Sequence, residues 1–436
     1  MCLKEYYKKS ISMFSNKETF FCDCGEDHSL ATQKIIFESG AIEKIGEFLS
    51  SIAPPLSSVL IISDSIIYEK TNRAFEKKIG RLGYRISSFT FEGSPLASVE
   101  VANEIVIPED CLLIIGIGGG TIADISKYIA NKKQLKSVFI LTSPNALGVL
   151  SPTSVLFDNG IEKQSSVMPF NIVLCDTNFL SSVPSEVLAC SYGEIISKAI
   201  SVFDYKASGV LNDEHFCSDI HLVAYSIIDD TLRSVMSDKD IIKLTENSLK
   251  LSSLCQLVKS DKIISGGEVA VASTAHTLMR YEERQARLKG EREILLAKTL
   301  ASLYQGFLSA KSNFFSPPPD NNKRLECMEE FLGLKQTDTI KLIRRILPIK
   351  KSKLAQYMLN EYRDELLLEA SLNTARVAKG TKIFKRFYLD DGFSLEGFLD
   401  NSTVALSIAF APDLSDNYLL LSYMKDMGLL DEYLLK

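Results

Sequence analysis

The chain has 436 residues, 46% of them hydrophobic and 24% charged, with a formal net charge of −6. That length suffices for two domains and a full hydrophobic core, and the acidic balance argues against a nucleic-acid or anionic-membrane surface. No apolar run approaches the roughly 18 residues a membrane helix needs, and Met1 to Phe14 lacks the apolar core of a secretory signal. Nine scattered cysteines read as reduced thiols, which places the chain in the cytoplasm.

The first element of note is Cys22-Asp23-Cys24-Gly25-Glu26-Asp27-His28. Cys-x-Cys with a nearby His can contribute to a zinc site, but no second ligand pair with finger spacing follows, and a surface turn accounts for it as well. Lys34 to Phe37 reads as a strand and Ala41 to Leu49 as a helix closed by Pro54-Pro55. Ser57 to Ser63 is a buried strand ending in Asp64. A carboxylate there is placed to take ribose hydroxyls, or to cap a helix over Ile66 to Leu82. Arg85 to Phe91 is a further strand and Val99 to Ile107 a helix.

Cys111 to Lys127 is the stretch that organises the chain. An unbroken apolar run leads into Gly116, Gly118, Gly119 and Gly120, and a helical pattern follows at once. This predicts a strand buried on both faces, a glycine turn, and a helix N-terminus with Thr121 as N-cap and Asp124 three residues on. Free N–H groups and a positive dipole at such an end suit a pyrophosphate. A turn that only packs helix on sheet is the plainer alternative. Ser137 to Leu141 is the next strand. A polar loop, Thr142 to Pro152, follows, and then Ser154 to Phe157 and Asn171 to Cys175 as paired strands at the domain edge. Alternating strands and helices imply a parallel sheet. From about Ser181 amphipathic helical patterns dominate. The predicted organisation is an α/β Rossmann-like domain over 1–180 and an all-α domain over 181–436, with a loop at Ser316 to Asn322.

Gly118, Gly119, Gly120, Asp124 and Lys127 fit, position by position, the Gly-Gly-Gly-x-x-x-Asp-x-x-Lys motif of the superfamily that holds iron-containing alcohol dehydrogenases, glycerol-1-phosphate dehydrogenases and dehydroquinate synthase. The Cys-x-Cys-Gly-x-x-His opening and the ending at Tyr418 to Leu430 resemble bacterial glycerol-1-phosphate dehydrogenases, so the resemblance runs from Cys22 to Leu430. It implies the dehydroquinate synthase-like two-domain fold and NAD(H) or NADP(H) held by Asp64, Gly118, Gly119, Gly120, Thr121, Asp124, Thr142, Ser143 and Ser151. Asp64 favours NADH, because a 2′-phosphate beside a carboxylate is repelled. The resemblance further implies a small phosphorylated polyol or ketone bound near Lys127, Asn145 and Gly148. Leu147 stands where the family has a substrate-binding Asp.

The family also uses a divalent metal (zinc, iron or nickel) held by an acid and two histidines. Gly193-Glu194-Ile195-Ile196-Ser197-Lys198 resembles the acid segment, with Glu194 as ligand and Lys198 as its catalytic lysine. The first histidine position is Val269, after Ser265-Gly266-Gly267-Glu268. His276, two helical turns on, is either a shifted ligand or an ordinary helix residue. The second histidine position is Lys289, whose ammonium has no acceptor, but which can stabilise a developing alkoxide. The resulting reading is an NAD(P)-dependent polyol-phosphate dehydrogenase with an altered metal site. A redox-silent nucleotide-binding relative and a dehydroquinate synthase-like cyclase are the alternatives. Partners are a small phosphorylated polyol or ketone, with no nucleic acid or membrane; a homodimer is open.

Overall fold

The computed structural model describes residues 3–430 except 72, 94, 235–239, 311–320, 334–348 and 389–398. Ser316 to Asp320 of the expected proline loop lie outside the described residues; Asn321 opens a helix. Contacts divide the chain into two units, 1–191 with 233–261, and 192–232 with 262–436. The segment 233–261, inside the expected helical domain, thus belongs with the first unit.

The first unit is built on a six-stranded, all-parallel sheet. A short hairpin, β1 (Thr19–Phe21) and β2 (Asp27–Ser29), precedes it. In chain order the sheet strands are β3 (Lys34–Glu38), β4 (Ser58–Asp64), β5 (Arg85–Phe91), β6 (Cys111–Gly118), β7 (Lys136–Leu141) and β10 (Ile172–Asp176). Their spatial order is β3-β10-β7-β6-β4-β5. Val59, Ile61, Leu113, Ile115, Val138, Ile140, Ile172 and Leu174 supply the centre of one buried face. Such β-branched runs suit strands covered on both sides. The helices that follow strands are α3 (Ser65–Lys70), α4 (Ala74–Arg81), α5 (Val99–Glu104) and α6 (Gly120–Lys133); α1 (Leu3–Tyr6) and α2 (Ile45–Leu49) are short.

Several expectations are corrected. Ile66 to Leu82 is two helices, parted at Arg73, whose φ of 56° is left-handed. Helix α6 begins at Gly120 with Gly119 as N-cap, not at Thr121, and no side chain caps it. Ser154 to Phe157 does not pair with Asn171 to Cys175. Instead β8 (Thr153–Asp158) pairs with β9 (Ile161–Ser166), and β10 lies inside the main sheet. The cause is a two-residue turn at Asn159-Gly160, both with positive φ, the geometry that hairpins favour.

Helix α7 (Ser185–Asn212) leads into the second unit, whose described regular elements are all helical. They include α8 (Ser218–Ser234), α10 (Gly267–Tyr281), α11 (Lys289–Ser309), α12 (Asn321–Leu332), α13 (Ile349–Phe384), α14 (Asn401–Leu414) and α15 (Leu420–Asp426). Helix α9 (Ile241–Leu257) lies in the returned segment of the first unit. Among the described residues no helix is long and apolar enough to cross a membrane.

Candidate active site

The first candidate centre is at the carboxyl ends of β4 and β6. These strands are neighbours, and the sheet order reverses between them: β5 lies beyond β4, and β7 beyond β6. Parallel sheets bind ligands at such a switch point. Gly118 has a φ of 158°, and a Cβ there would stand 2.9 Å from Ile122 Cγ1, so a side chain at 118 is excluded. Gly120 is unobstructed. A Cβ on it would meet nothing within 4 Å, so the first turn of α6 opens onto space with its N–H groups leading.

Asp64 caps α3, accepting from the Ile67 N–H at 2.8 Å through Oδ1. Its other oxygen lies beside Gly118, 3.6 Å from where a Cβ would be. The capping role considered from sequence is therefore the one Asp64 fills. Burial raises its pKa, against the Ile67 and Ile66 backbone bonds that lower it. Ser143 borders Gly119, its Cβ 3.5 Å from where a side chain on Gly119 would begin, and the Thr142 N–H donates to the Gly118 carbonyl at 3.1 Å. Thr121 lies in the first turn of α6.

Lys127 is fully buried and its ammonium donates to three carbonyls, Gly148 at 2.8 Å and Ser151 at 3.4 Å in the loop beyond β7 and Thr153 at 2.5 Å at the start of β8. Asp124 stands 3.4 Å from the same nitrogen. Burial lowers the Lys127 pKa, and Asp124 opposes this. Lys127 and Asp124 thus shape the loop from beneath. The Ser151 hydroxyl pairs with Thr153 at 2.8 Å, and Asn145 folds back on Ser143, with its side chain donating to Cys190 Sγ at 3.8 Å. Leu147 is buried.

The second centre is in the helical unit. Glu194 and Lys198 are both buried on α7. Lys198 Nζ donates to Glu293 Oε2 at 2.7 Å and Glu268 Oε1 at 3.1 Å, and both glutamates are fully buried. Ser197 adds a bond to Glu293 at 3.2 Å, and Ser201 donates to Glu268. Burial disfavours the Lys198 charge, but Glu293 and Glu268 outweigh it and its pKa is raised. Glu268 is pushed up by burial, against Lys198, with Glu293 adding to the rise. Lys289, at the start of α11, is 47% exposed and 3.8 Å from Glu293 Oε1. Gly193, beside Glu194, approaches the Gly290 carbonyl so closely that a Cβ would stand 2.5 Å from it. This brings Glu194 to the start of α11. His276 Nδ1 lies 3.3 Å from an Arg292 guanidinium nitrogen, which can only donate, so that ring nitrogen is an acceptor facing a cation.

Glu268, Glu293, Ser201 and Asp204 escape a reading of the sequence. The signal for Glu293 was present, since it follows Lys289 by four residues on one helix. Asp204 accepts from the backbone N–H groups of Gly267 at 2.7 Å and Leu420 at 2.9 Å, and from Tyr304 Oη at 3.1 Å. Burial pushes its pKa up to about 7. A carboxyl raised in the fold from 3.8 favours the protonated native state, so its contribution is lost as pH rises through about 7. The expected loss between pH 4 and 8 is roughly 4 kcal/mol, and urea titrations of wild type and Asp204→Asn read it. The variant, weaker overall by a lost hydrogen bond, should show a flatter pH profile; an unchanged slope refutes the assignment.

The parallel α/β unit with its glycine turn, joined to a helical unit, defines a Rossmann-like two-domain fold of the dehydroquinate synthase-like kind. Residues 36–184 match the family model described as iron-containing alcohol dehydrogenase. Over that stretch, about a third of its length, the chain is similar to the iron-containing alcohol dehydrogenase family. It is 27% identical over 191 residues to a glycerol-1-phosphate dehydrogenase [NAD(P)+] of Hyperthermus butylicus, a match covering 42% of this chain and 52%, about half, of that enzyme. To the glycerol-1-phosphate dehydrogenase [NAD(P)+] of Bacillus licheniformis it is 25% identical over 374 residues, 76% of this chain and 86% of that one. The fold is that of an iron-containing alcohol dehydrogenase from Thermococcus thioreducens, with a TM-score of 0.59 at 13% identity over 93% of this chain and 99% of that one.

Proposed function

We propose that the chain binds NAD(H) or NADP(H) at the glycine turn and reduces a small phosphorylated ketone, or oxidises the corresponding polyol phosphate, without a dication at the reacting oxygen. The observation that carries this is the switch point, where a Cβ on Gly120 at the start of α6 would meet nothing within 4 Å and the half-buried Asp64 carboxylate lies beside Gly118, 3.6 Å from where a Cβ would stand. The helix end suits the pyrophosphate and Asp64 the ribose hydroxyls. The glycerol-1-phosphate dehydrogenase relatives support the substrate class.

The family's metal does not fit the residues at its ligand positions. Val269 has no lone pair, Lys289 carries a proton in its place, and His276 faces a guanidinium. The reaction is then carried by this chain's own groups. The bound dinucleotide supplies the hydride. The Lys289 ammonium, exposed enough to reach a ligand, donates a hydrogen bond to the carbonyl oxygen as charge develops there. With a dinucleotide bound, the carbonyl carbon would take its hydride while Lys289 gave a proton to the oxygen and regained one from solvent, leaving the alcohol and the oxidised dinucleotide. Chelator-resistant NADH oxidation with dihydroxyacetone phosphate should fall about 100-fold in Lys289→Met. If Lys289→Met changes neither activity nor stability, Lys289 is outside the site.

A second reading, a redox-silent nucleotide binder, is favoured by the Lys198–Glu268–Glu293 cluster, whose charges satisfy one another. NADH binding without oxidation of NADH by any phosphorylated ketone tested would establish it.

A further inference from the structure

The turn between β1 and β2 carries chemistry that the glycine turn and the buried charge cluster do not use. Phe21 pairs with Asp27 at the last rung, and Cys22 to Glu26 form the connection. The Gly25 N–H donates to the Cys22 carbonyl at 3.1 Å, and Gly25 has a φ of 88°, so the chain reverses tightly between the thiols and β2. Cys22 Sγ, Cys24 Sγ and a His28 ring nitrogen lie within 4.8 Å of one another. Neither cysteine is in a disulfide.

His28 is oriented for ligation. It is 1% exposed, and its Nδ1 lies 2.8 Å from the Leu257 carbonyl at the end of α9. A carbonyl only accepts, so Nδ1 carries the proton and Nε2 keeps its lone pair. This is the arrangement by which metal-bound histidines are usually held. That lone pair faces Cys24 Sγ at 3.3 Å. A tetrahedral zinc with bonds of about 2.3 Å to sulfur and about 2.0 Å to nitrogen places such a pair about 3.5 Å apart. Asp23, Glu26 and Asp27 add negative charge around the turn, which favours a cation.

We propose that Cys22, Cys24 and His28 bind one zinc ion, as a structural staple that closes the turn of the β1–β2 hairpin, with His28 held in place by the Leu257 carbonyl at the end of α9. Two thiolates and an imidazole select zinc over magnesium or calcium. The fourth position of the tetrahedron is left to a water or a further thiolate.

The test is metal analysis of the full chain after purification in zinc-containing medium, with bound zinc quantified by mass spectrometry. Wild type should hold zinc at one per chain, and Cys24→Ser and His28→Asn should each lose it while circular dichroism reports a folded protein. Glu194→Gln should keep it, which separates this site from the helical unit. Cobalt(II) in place of zinc should give an intense thiolate-to-metal absorption in wild type that is absent from Cys22→Ser. Should His28→Asn fail to fold, Cys24→Ser and the cobalt spectrum still decide. Absence of both zinc and the cobalt band in reduced wild type overturns the proposal, as does zinc that stays with the double Cys22→Ser, Cys24→Ser variant or leaves with Glu194→Gln.

Discussion

Replacing Lys198 by methionine should destabilise the helical unit by about 3–5 kcal/mol, a drop in melting temperature on the order of 10 °C for a unit of this size. The ammonium is the shared partner of two fully buried carboxylates, Glu293 at 2.7 Å and Glu268 at 3.1 Å. Removing it leaves two like charges facing each other away from water. They can relieve this only by taking up protons. The loss should therefore be largest above neutral pH and shrink as the medium is acidified. The triple variant Lys198→Met, Glu268→Gln, Glu293→Gln should recover most of the stability, because replacing a whole buried ionic group is often close to neutral. Differential scanning calorimetry of the three proteins reads both statements. A Lys198→Met protein melting within about 2 °C of wild type would mean that water reaches the cluster and screens it.

The second large effect is expected at Gly120. Placing a carboxylate there by Gly120→Asp should reduce NADH affinity by roughly three orders of magnitude. Two unit charges about 4 Å apart repel by about 4 kcal/mol near a protein surface, and each 1.4 kcal/mol is about tenfold in affinity. The substitution costs the fold little, because a Cβ at Gly120 meets nothing within 4 Å and the backbone there is helical. Gly120→Ala is the control. It should bind NADH within a few-fold of wild type and melt slightly higher, alanine being the better helix former. Fluorescence titration of NADH against all three proteins decides the matter; equal affinity for Gly120→Asp and wild type would remove the dinucleotide from this end of α6.

The first unit was legible where local pattern decides structure. Apolar runs marked β4, β6 and β7, and glycine bounded β6, since a strand covered on both faces must be apolar throughout. The Asn159-Gly160 hairpin was missed although its turn signal was in plain view, and that omission moved β10 from the sheet interior to an imagined edge. Of the site, the glycine turn could be read because backbone geometry demands glycine there. The buried cluster could not. Glu268 and Glu293 are ordinary helix acids by spacing, and only packing brings them onto Lys198 from 70 and 95 residues away. Val269 and Lys289 stood out only because a resemblance supplied a place for histidine. The Lys127 side chain shows the opposite limit: its position in the motif was plain, while its bonds to Gly148, Ser151 and Thr153 depend on how the loop returns over α6.

The return of 233–261 to the first unit bears on any attempt to prepare that unit alone. Within it the Gln256 amide receives the Ala31 and Thr32 N–H groups at 2.8 and 3.0 Å and donates to Leu150 O at 2.8 Å. Ser252 Oγ receives the Leu150 N–H at 3.0 Å. A recombinant fragment ending near residue 180 lacks all these partners, leaving four backbone groups stranded that were buried or half-buried. No single scission separates the two units, because the polypeptide passes from one to the other three times, near residues 191, 232 and 261. A stable excised first unit would instead need 233–261 grafted back by a linker, or supplied as a synthetic peptide in trans.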